Sequence, residues 1–276
     1  MYTLNCKGKL LVITKPLVMG ILNATPDSFY KVHTAEGLDV ALGFAGKMLE
    51  DGADILDIGG QSTRPGSERI SAEREIERVL PLIKAIKDKY PEAILSVDTY
   101  HSKVAEATVA EGVSIINDIS GGEMDPEMIS AVAALKVPYI CMHMKGTPDS
   151  MQKDPHYEDV VKELLDYFIE KISTAKQAGI NDIIIDPGFG FGKTIQHNFH
   201  LLKHLEVFGM LERPILAGLS RKSTVYKTLG ISVDEALNGT TVLNTMALMN
   251  NASLLRVHDV KEARQAVELF EAYRKA

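Results

Sequence analysis

Apolar residues along this chain fall into two alternating rhythms. Short, nearly continuous apolar runs rich in Ile, Leu and Val, several of them closed by a polar residue, predict buried strands at 17–22, 54–58, 94–97, 114–117, 138–142, 182–185, 214–217 and 253–257. Longer stretches between them, such as 72–90, 101–111, 157–178 and 260–274, carry apolar positions at helical spacing and predict crossover helices. Gly52, Gly112 and Gly179 fall just past helical runs, where a left-handed C-terminal cap is expected. Residues 1–14 read as a hairpin lying across one end. Together these elements predict an α/β fold, a closed (β/α)8 TIM barrel with a short N-terminal hairpin, as a single domain over 1–276. A doubly wound open sheet would show fewer strands and a glycine fingerprint in its first turn.

The polar residues that close the strands change the picture from fold to chemistry. Asp57, Asp98, Asn117 with Asp118, and Asp186 each stand where an apolar run gives way to a loop. An ionised group beside a buried strand is costly unless something hydrogen-bonds to it, so their accumulation predicts a polar pocket at the carboxyl ends of the strands. The richest stretch is Asp186-Pro187-Gly188-Phe189-Gly190-Phe191-Gly192-Lys193. It fails the Walker pattern, since Pro187 stands where the first glycine is needed, and it fails the dinucleotide fingerprint by one residue. What survives is a loop of small residues that lets a flat ligand approach Asp186, with Phe189 or Phe191 beside it. A carboxylate pairs best with a planar donor edge, and the 2-amino and N3–H edge of a pterin is one; structural salt bridges are the plainer alternative.

Charge narrows the partners. Lys and Arg total 30 against 37 Asp and Glu, a net of −7, which argues against nucleic acid because duplex binding needs a broad basic surface. No run approaches the length of a membrane span, no signal peptide is evident, and Cys6 and Cys141 lack metal-site spacing, so a soluble cytoplasmic protein with reduced thiols is expected. Positive contacts to an anionic ligand must then be local. In Gly59-Gly60-Gln61-Ser62-Thr63-Arg64-Pro65-Gly66 the hydroxyls of Ser62 and Thr63 and the fork of Arg64 could cradle phosphate oxygens. Arg256 and His258 sit beside the start of the last helix, with Asp259 as a candidate N-cap, where barrels often bind phosphate. Ser220-Arg221-Lys222-Ser223 offers two cations and two hydroxyls, with Lys222 able to reach a ring carbonyl and Ser223 a carboxylate. His197, His200 and His204 could share a helical face, but no HExxH zinc pattern is present. Val242, Leu243, Met246 and Met249 form a stripe assigned most simply to core, with part of it a candidate dimer seam.

Several of these segments, taken in order, resemble the dihydropteroate synthase family of folate biosynthesis. The resemblance rests on Asn23-Ala24-Thr25-Pro26-Asp27-Ser28-Phe29, the Gly59 to Gly66 loop, Ser96-Val97-Asp98-Thr99, Asn117-Asp118-Ile119-Ser120, Met142-His143-Met144-Lys145-Gly146-Thr147-Pro148, Asp186 to Lys193, Ser220 to Ser223 and Arg256-Val257-His258. It implies a barrel enzyme that joins 6-hydroxymethyl-7,8-dihydropterin diphosphate to p-aminobenzoate with Mg²⁺, working as a homodimer and serving as a sulfonamide target. By the same resemblance Asp57, Asp98, Asn117, Met142, Asp186, Gly218 and Lys222 would hold the pterin. Asn23, Thr63, Arg64, Arg256 and His258 would hold the diphosphate, with Asn23 at the metal, and Phe29, Pro65, Phe191, Lys222 and Ser223 would shape the p-aminobenzoate pocket. Asp98, Asp186, Lys222 and Arg256 would carry the catalysis. The chain departs from the family at Tyr30-Lys31-Val32-His33, where Ser-Asp-Gly-Gly is usual. Two other readings stay open: methyl transfer from methyltetrahydrofolate to a corrinoid protein, and a pterin-binding protein without catalysis.

Overall fold

The computed structural model describes residues 1–25, 34–62, 69–147, 151 and 155–276. Its first two strands, β1 (Tyr2–Cys6) and β2 (Lys9–Ile13), form an antiparallel hairpin. The strands β3 (Leu17–Asn23), β4 (Ile55–Gly59), β5 (Ile94–Asp98), β6 (Ile115–Asp118), β7 (Tyr139–Met142), β8 (Ile183–Asp186), β9 (Leu216–Ala217) and β10 (Leu254–Val257) then pair in parallel, in the order β8-β7-β6-β5-β4-β3-β10-β9. A parallel bridge between Ile185 and Ile215 joins the two ends of that order and closes the ring. The predicted eight strands and the hairpin are therefore present, with β9 shorter than the run that predicted it.

Helices α1 (Ala35–Glu50), α2 (Ala72–Lys89), α3 (Ser102–Ala110), α4 (Met128–Leu135), α5 (Val160–Ala178) and α6 (Ile195–Lys203) follow successive strands. A 3₁₀ segment (Leu205–Leu211), α7 (Ser223–Leu229), α8 (Leu237–Met249) and α9 (Val260–Lys275) complete the outer layer. Side-chain caps fix several starts: Thr34 accepts from the Gly37 amide, Ser71 from Arg74, and Asp159 from Val161 and Lys162. Gly179 ends α5 in the left-handed conformation, as its position predicted.

The period-2 alternation of each strand sorts the chain into two cores. Outward residues such as Val18, Leu56, Leu95, Ile116, Ile185 and Leu255 pack under the helices. Inward residues Leu17, Met19, Ile55, Ile94, Ile115, Ile140, Ile184, Leu216 and Leu254 fill the lower barrel, where Leu4, Cys6 and Ile13 of the hairpin close the bottom. One step further along the same strands, the inward positions turn polar. Gly20, facing outward, lets α9 and α1 approach β3, because a Cβ there would press on Val260 and Met48.

Two expectations need correcting. Of the stripe on α8, only Leu243 is buried, whereas Val242, Met246 and Met249 are exposed, because Ala247, Leu248 and Asn244 face the barrel instead. Asp259 stands at the N-terminus of α9 but makes no side-chain cap, since Arg221 takes both of its carboxylate oxygens.

Truncating the lower layer should be costly. Leu254→Ala is expected to lower unfolding free energy by about 3 kcal/mol, while Leu10→Ala on the exposed hairpin edge should change it by less than about 0.5 kcal/mol. Urea denaturation of the two variants measures the contrast.

Candidate active site

Strand register decides which side chains meet at the carboxyl end of the barrel. Asp57 pairs in register with Ser96, Asp98 with Asn117, and Met142 with Asp186, all of them on the inward side. A slip of one residue in any strand would turn its polar residue outward among the helices. That is the situation of Asp118, which follows inward-facing Asn117: its carboxylate accepts from Ser120, the Gly122 amide and Tyr139, and it holds a turn rather than lining the pocket.

At the centre lies Arg256 on β10. Its Nε donates to Asp57 Oδ2 and its Nη2 to Asp98 Oδ2, each at 2.6 Å. Asn117 Nδ2 donates to the same Asp57 oxygen at 3.0 Å. Asp57 is wholly buried, and its Oδ1, like the hydroxyl of Ser96, has no hydrogen-bond partner among the described residues. Burial raises the Asp98 carboxyl to about 7, although the Arg256 guanidinium pulls it down. Burial would likewise depress Arg256, but Asp57 and Asp98 outweigh it and hold the guanidinium above its ordinary range.

Asp186, at the end of β8, completes the acidic side. Its Oδ1 accepts from the Gly188 amide at 2.7 Å, and burial raises its pKa while Lys222 opposes the shift. The turn that supplies this amide requires glycine. Gly188 has a φ of +67°, and a Cβ would collide with the His143 carbonyl. Lys222 lies across the opening, donating to the Phe189 carbonyl and standing 4.7 Å from the centre of the Phe191 ring. Burial lowers its pKa to about 8, with Asp186 opposing. Gly218 lies next to this ammonium, which a Cβ would reach at 3.6 Å.

The structure thus brings together Asp57, Asp98, Asn117, Met142, Asp186, Gly218, Lys222 and Arg256. Asn23 reaches the same rim: a Cβ on Gly59 would sit 3.6 Å from its Oδ1 and 3.7 Å from Asp98 Cβ. His258 is exposed beside them, its Nδ1 3.0 Å from the Ser220 hydroxyl. Ser223 opens α7, directly after Lys222. Phe29, Thr63, Arg64 and Pro65 lie outside the described residues, as does the departure at residues 30–33. Of the paired alternatives, Phe191 lies at the opening and Phe189 is buried in the core against the helices. Arg221 faces Asp259 rather than the pocket. His197 forms a capping box with Thr194, and no group of three or more His, Cys, Asp or Glu residues able to hold a metal occurs among the described residues. Sequence reasoning placed Ser96 and Lys193 inside its motifs but gave neither a role in this region. Inward alternation from Asp98 would have found Ser96, but nothing local distinguishes Lys193 from a surface lysine.

A parallel barrel whose upper rim holds three carboxylates, an amide and two cations within reach of one another is built as an enzyme site at the carboxyl end of its strands. Residues 19–258 match the family described as pterin binding enzyme. The dihydropteroate synthase of Escherichia coli K12 is 42% identical over 268 residues, 96% of this chain and 94% of that protein. That of Haemophilus influenzae is 38% identical and covers 98% of both. The solved Yersinia pestis dihydropteroate synthase, in complex with a sulfonamide drug, superposes with a TM-score of 0.94 at 40% identity, covering 100% of each chain. The Xanthomonas albilineans enzyme, in complex with 7,8-dihydropteroate, gives 0.87 at 36% identity and covers 99% of each. This chain belongs to the dihydropteroate synthase family of pterin-binding enzymes.

Removing Arg256 leaves Asp57 and Asp98 buried without a counter-charge. Arg256→Ala should cost about 3 kcal/mol of stability at pH 8. The loss should shrink at pH 6, because burial raises the Asp98 carboxyl above its unfolded value, so the native state binds this proton more tightly than the unfolded chain does and stability falls as pH rises. Urea titrations at the two pH values give the comparison.

Proposed function

We propose that this chain joins 6-hydroxymethyl-7,8-dihydropterin diphosphate to p-aminobenzoate, giving 7,8-dihydropteroate and pyrophosphate, as a single-domain cytoplasmic homodimer. The observation that carries the reading is the Arg256 fork between Asp57 and Asp98, facing Asp186 across one rim. Acids and cations held this close give a ligand with a donor-rich ring and an anionic tail a partner at each end.

In this reading Asp98, Asn117 and Asp186 hold the pterin edge, Asp57 and Met142 form its floor, and Gly218 leaves room for Lys222 to reach the ring carbonyl. Arg256 and His258, with Thr63 and Arg64, hold the diphosphate. Phe29, Pro65, Phe191, Lys222 and Ser223 surround p-aminobenzoate. The bond between the exocyclic methylene and the diphosphate oxygen breaks with its electron pair leaving on the diphosphate. The arylamine nitrogen then donates its lone pair to the methylene and releases a proton to solvent. Arg256 and His258 stabilise the leaving charge, while Asp98 and Asp186 favour the electron-poor ring, so no covalent nucleophile is required.

The donor set fits Mg²⁺ through Asn23. A side-chain amide oxygen at the rim is a hard ligand, and Mg²⁺ is ordinarily held by one or two protein oxygens with substrate phosphates and water supplying the rest. Asn23 Oδ1 would be the protein ligand, and the ion would neutralise charge on the diphosphate.

Incubation with both substrates and Mg²⁺ should yield pyrophosphate and dihydropteroate in equal amounts. Asp186→Asn should lower kcat/KM by about a hundredfold, the scale of one lost charged hydrogen bond at its upper range. Wild-type protein that releases no pyrophosphate would refute the reading.

The homodimer is supported by an apolar strip on the outer faces of α8 and α9. Val242, Met246, Met249, Leu269 and Tyr273 are each at least 45% exposed there. A shallow groove between Met249, Phe270 and Tyr273 follows the same strip. Met246→Glu should shift the sedimentation coefficient from dimer to monomer, and a wild-type monomer at micromolar concentration would sink the assignment.

A further inference from the structure

Lys193 ends the glycine-rich turn after β8, yet it points back beneath the turn and is only 3% exposed. Its Nζ lies 3.1 Å from the Gly188 carbonyl, 3.0 Å from the Phe191 carbonyl, 3.3 Å from the His143 carbonyl and 3.0 Å from His143 Nδ1. Burial pushes the Lys193 pKa well below the ordinary lysine range while Asp186 opposes the shift, and the three carbonyls around the nitrogen offer one acceptor to each N–H of its ammonium form. His143 adds an acceptor, because burial and the neighbouring Lys193 push its pKa to about 2 and keep the imidazole neutral. This one side chain therefore ties the turn after β8 to the residue that follows β7.

The turn it holds carries the proposed chemistry on its other side. The Gly188 amide orients Asp186, the Phe189 carbonyl receives Lys222, and the Phe191 ring lies against the same ammonium. Secondary braces come from Asn198, whose Oδ1 accepts from the Gly190 amide at 2.8 Å, and from Tyr157, whose hydroxyl donates to the Gly192 carbonyl at 2.9 Å. Neither brace reaches the Gly188 carbonyl, two residues from Asp186, which accepts from the Phe191 amide at 3.0 Å within the turn and from Lys193 beneath it.

The geometry points to Lys193 as a positioning residue of the pterin site: by clasping the carbonyls of Gly188, Phe191 and His143, it sets the Asp186 carboxylate and the Lys222 ammonium for the ring before substrate arrives. A lysine that only stabilised the fold would lower melting temperature and leave the folded enzyme's affinity unchanged. A lysine that sets the site changes KM for the pterin substrate by about tenfold or more, the worth of one charge-assisted hydrogen bond at Asp186.

The test compares wild type with Lys193→Met, which keeps the apolar stem and removes the donors, at 15 °C with folding checked by circular dichroism. Calorimetry with 6-hydroxymethylpterin and steady-state kinetics with the diphosphate substrate are the readouts. Binding weakened at least tenfold, with KM for the pterin substrate raised more than KM for p-aminobenzoate, supports the role. Equal pterin affinity and equal KM in a folded variant overturn it. The inference rests on the reaction proposed above, and the controls keep the two apart. Wild type that does not bind the pterin overturns both, whereas wild type that binds it alongside an unaltered variant overturns only the role of Lys193. Hydrogen exchange on ligand-free wild type covers a variant that does not fold. Slow exchange of the Gly188 and Phe191 amides supports a turn set in advance, and exchange at the rate of an open loop overturns it.

Discussion

The Arg256 fork between Asp57 and Asp98 is the constraint on which the upper barrel depends. Two buried carboxylates on adjacent strands repel each other and lose their hydration. One planar guanidinium with two donors at 2.6 Å offsets both effects. The three residues are separated by as many as 199 positions in the chain, so the interaction exists only when the ring of strands closes in register. Conversely, the barrel cannot close without bringing these acids together, and Arg256 makes that closure tolerable. A stable fold and a charged site are thus the same arrangement.

Division of labour along the barrel axis follows. Below, the inward residues are aliphatic and the hairpin seals them from water, which gives the fold its stability. Above, the same alternation presents acids, an amide and cations, and leaves Asp57 Oδ1 and the Ser96 hydroxyl without a hydrogen-bond partner among the described residues. Polar groups of this kind cost stability until a ligand pairs with them, and binding then recovers part of that cost. The rigid lower layer allows the upper one to be kept in an unfavourable state.

The loops above the rim extend this logic. Gly188, Lys193 and His143 fix one loop by backbone contacts, and Arg221 with Asp259 fixes another away from the pocket. Phe191 and Lys222 then sit against one another as a cation and an aromatic face.

Much of this was legible in the linear order of residues. Apolar runs rich in Ile, Leu and Val marked all eight strands, and the Asp or Asn residues closing several of them put Asp57, Asp98, Asn117 and Asp186 at one end, because burial on both faces of a parallel strand demands such runs. Helical spacing and capping glycines marked the crossovers. What the residues could not reveal was direction across a distance. Asp259 had the position of a cap and served an arginine, Met246 had the spacing of core and faced outward, and Lys193 closed the glycine-rich stretch and was buried under its turn. Local patterns depend on neighbours within a turn of helix or a pair of strand residues, so the chain alone settled elements and their order. Which charge meets which, and which side of a loop a side chain takes, were decided only by closure of the ring, since those contacts join residues far apart in sequence.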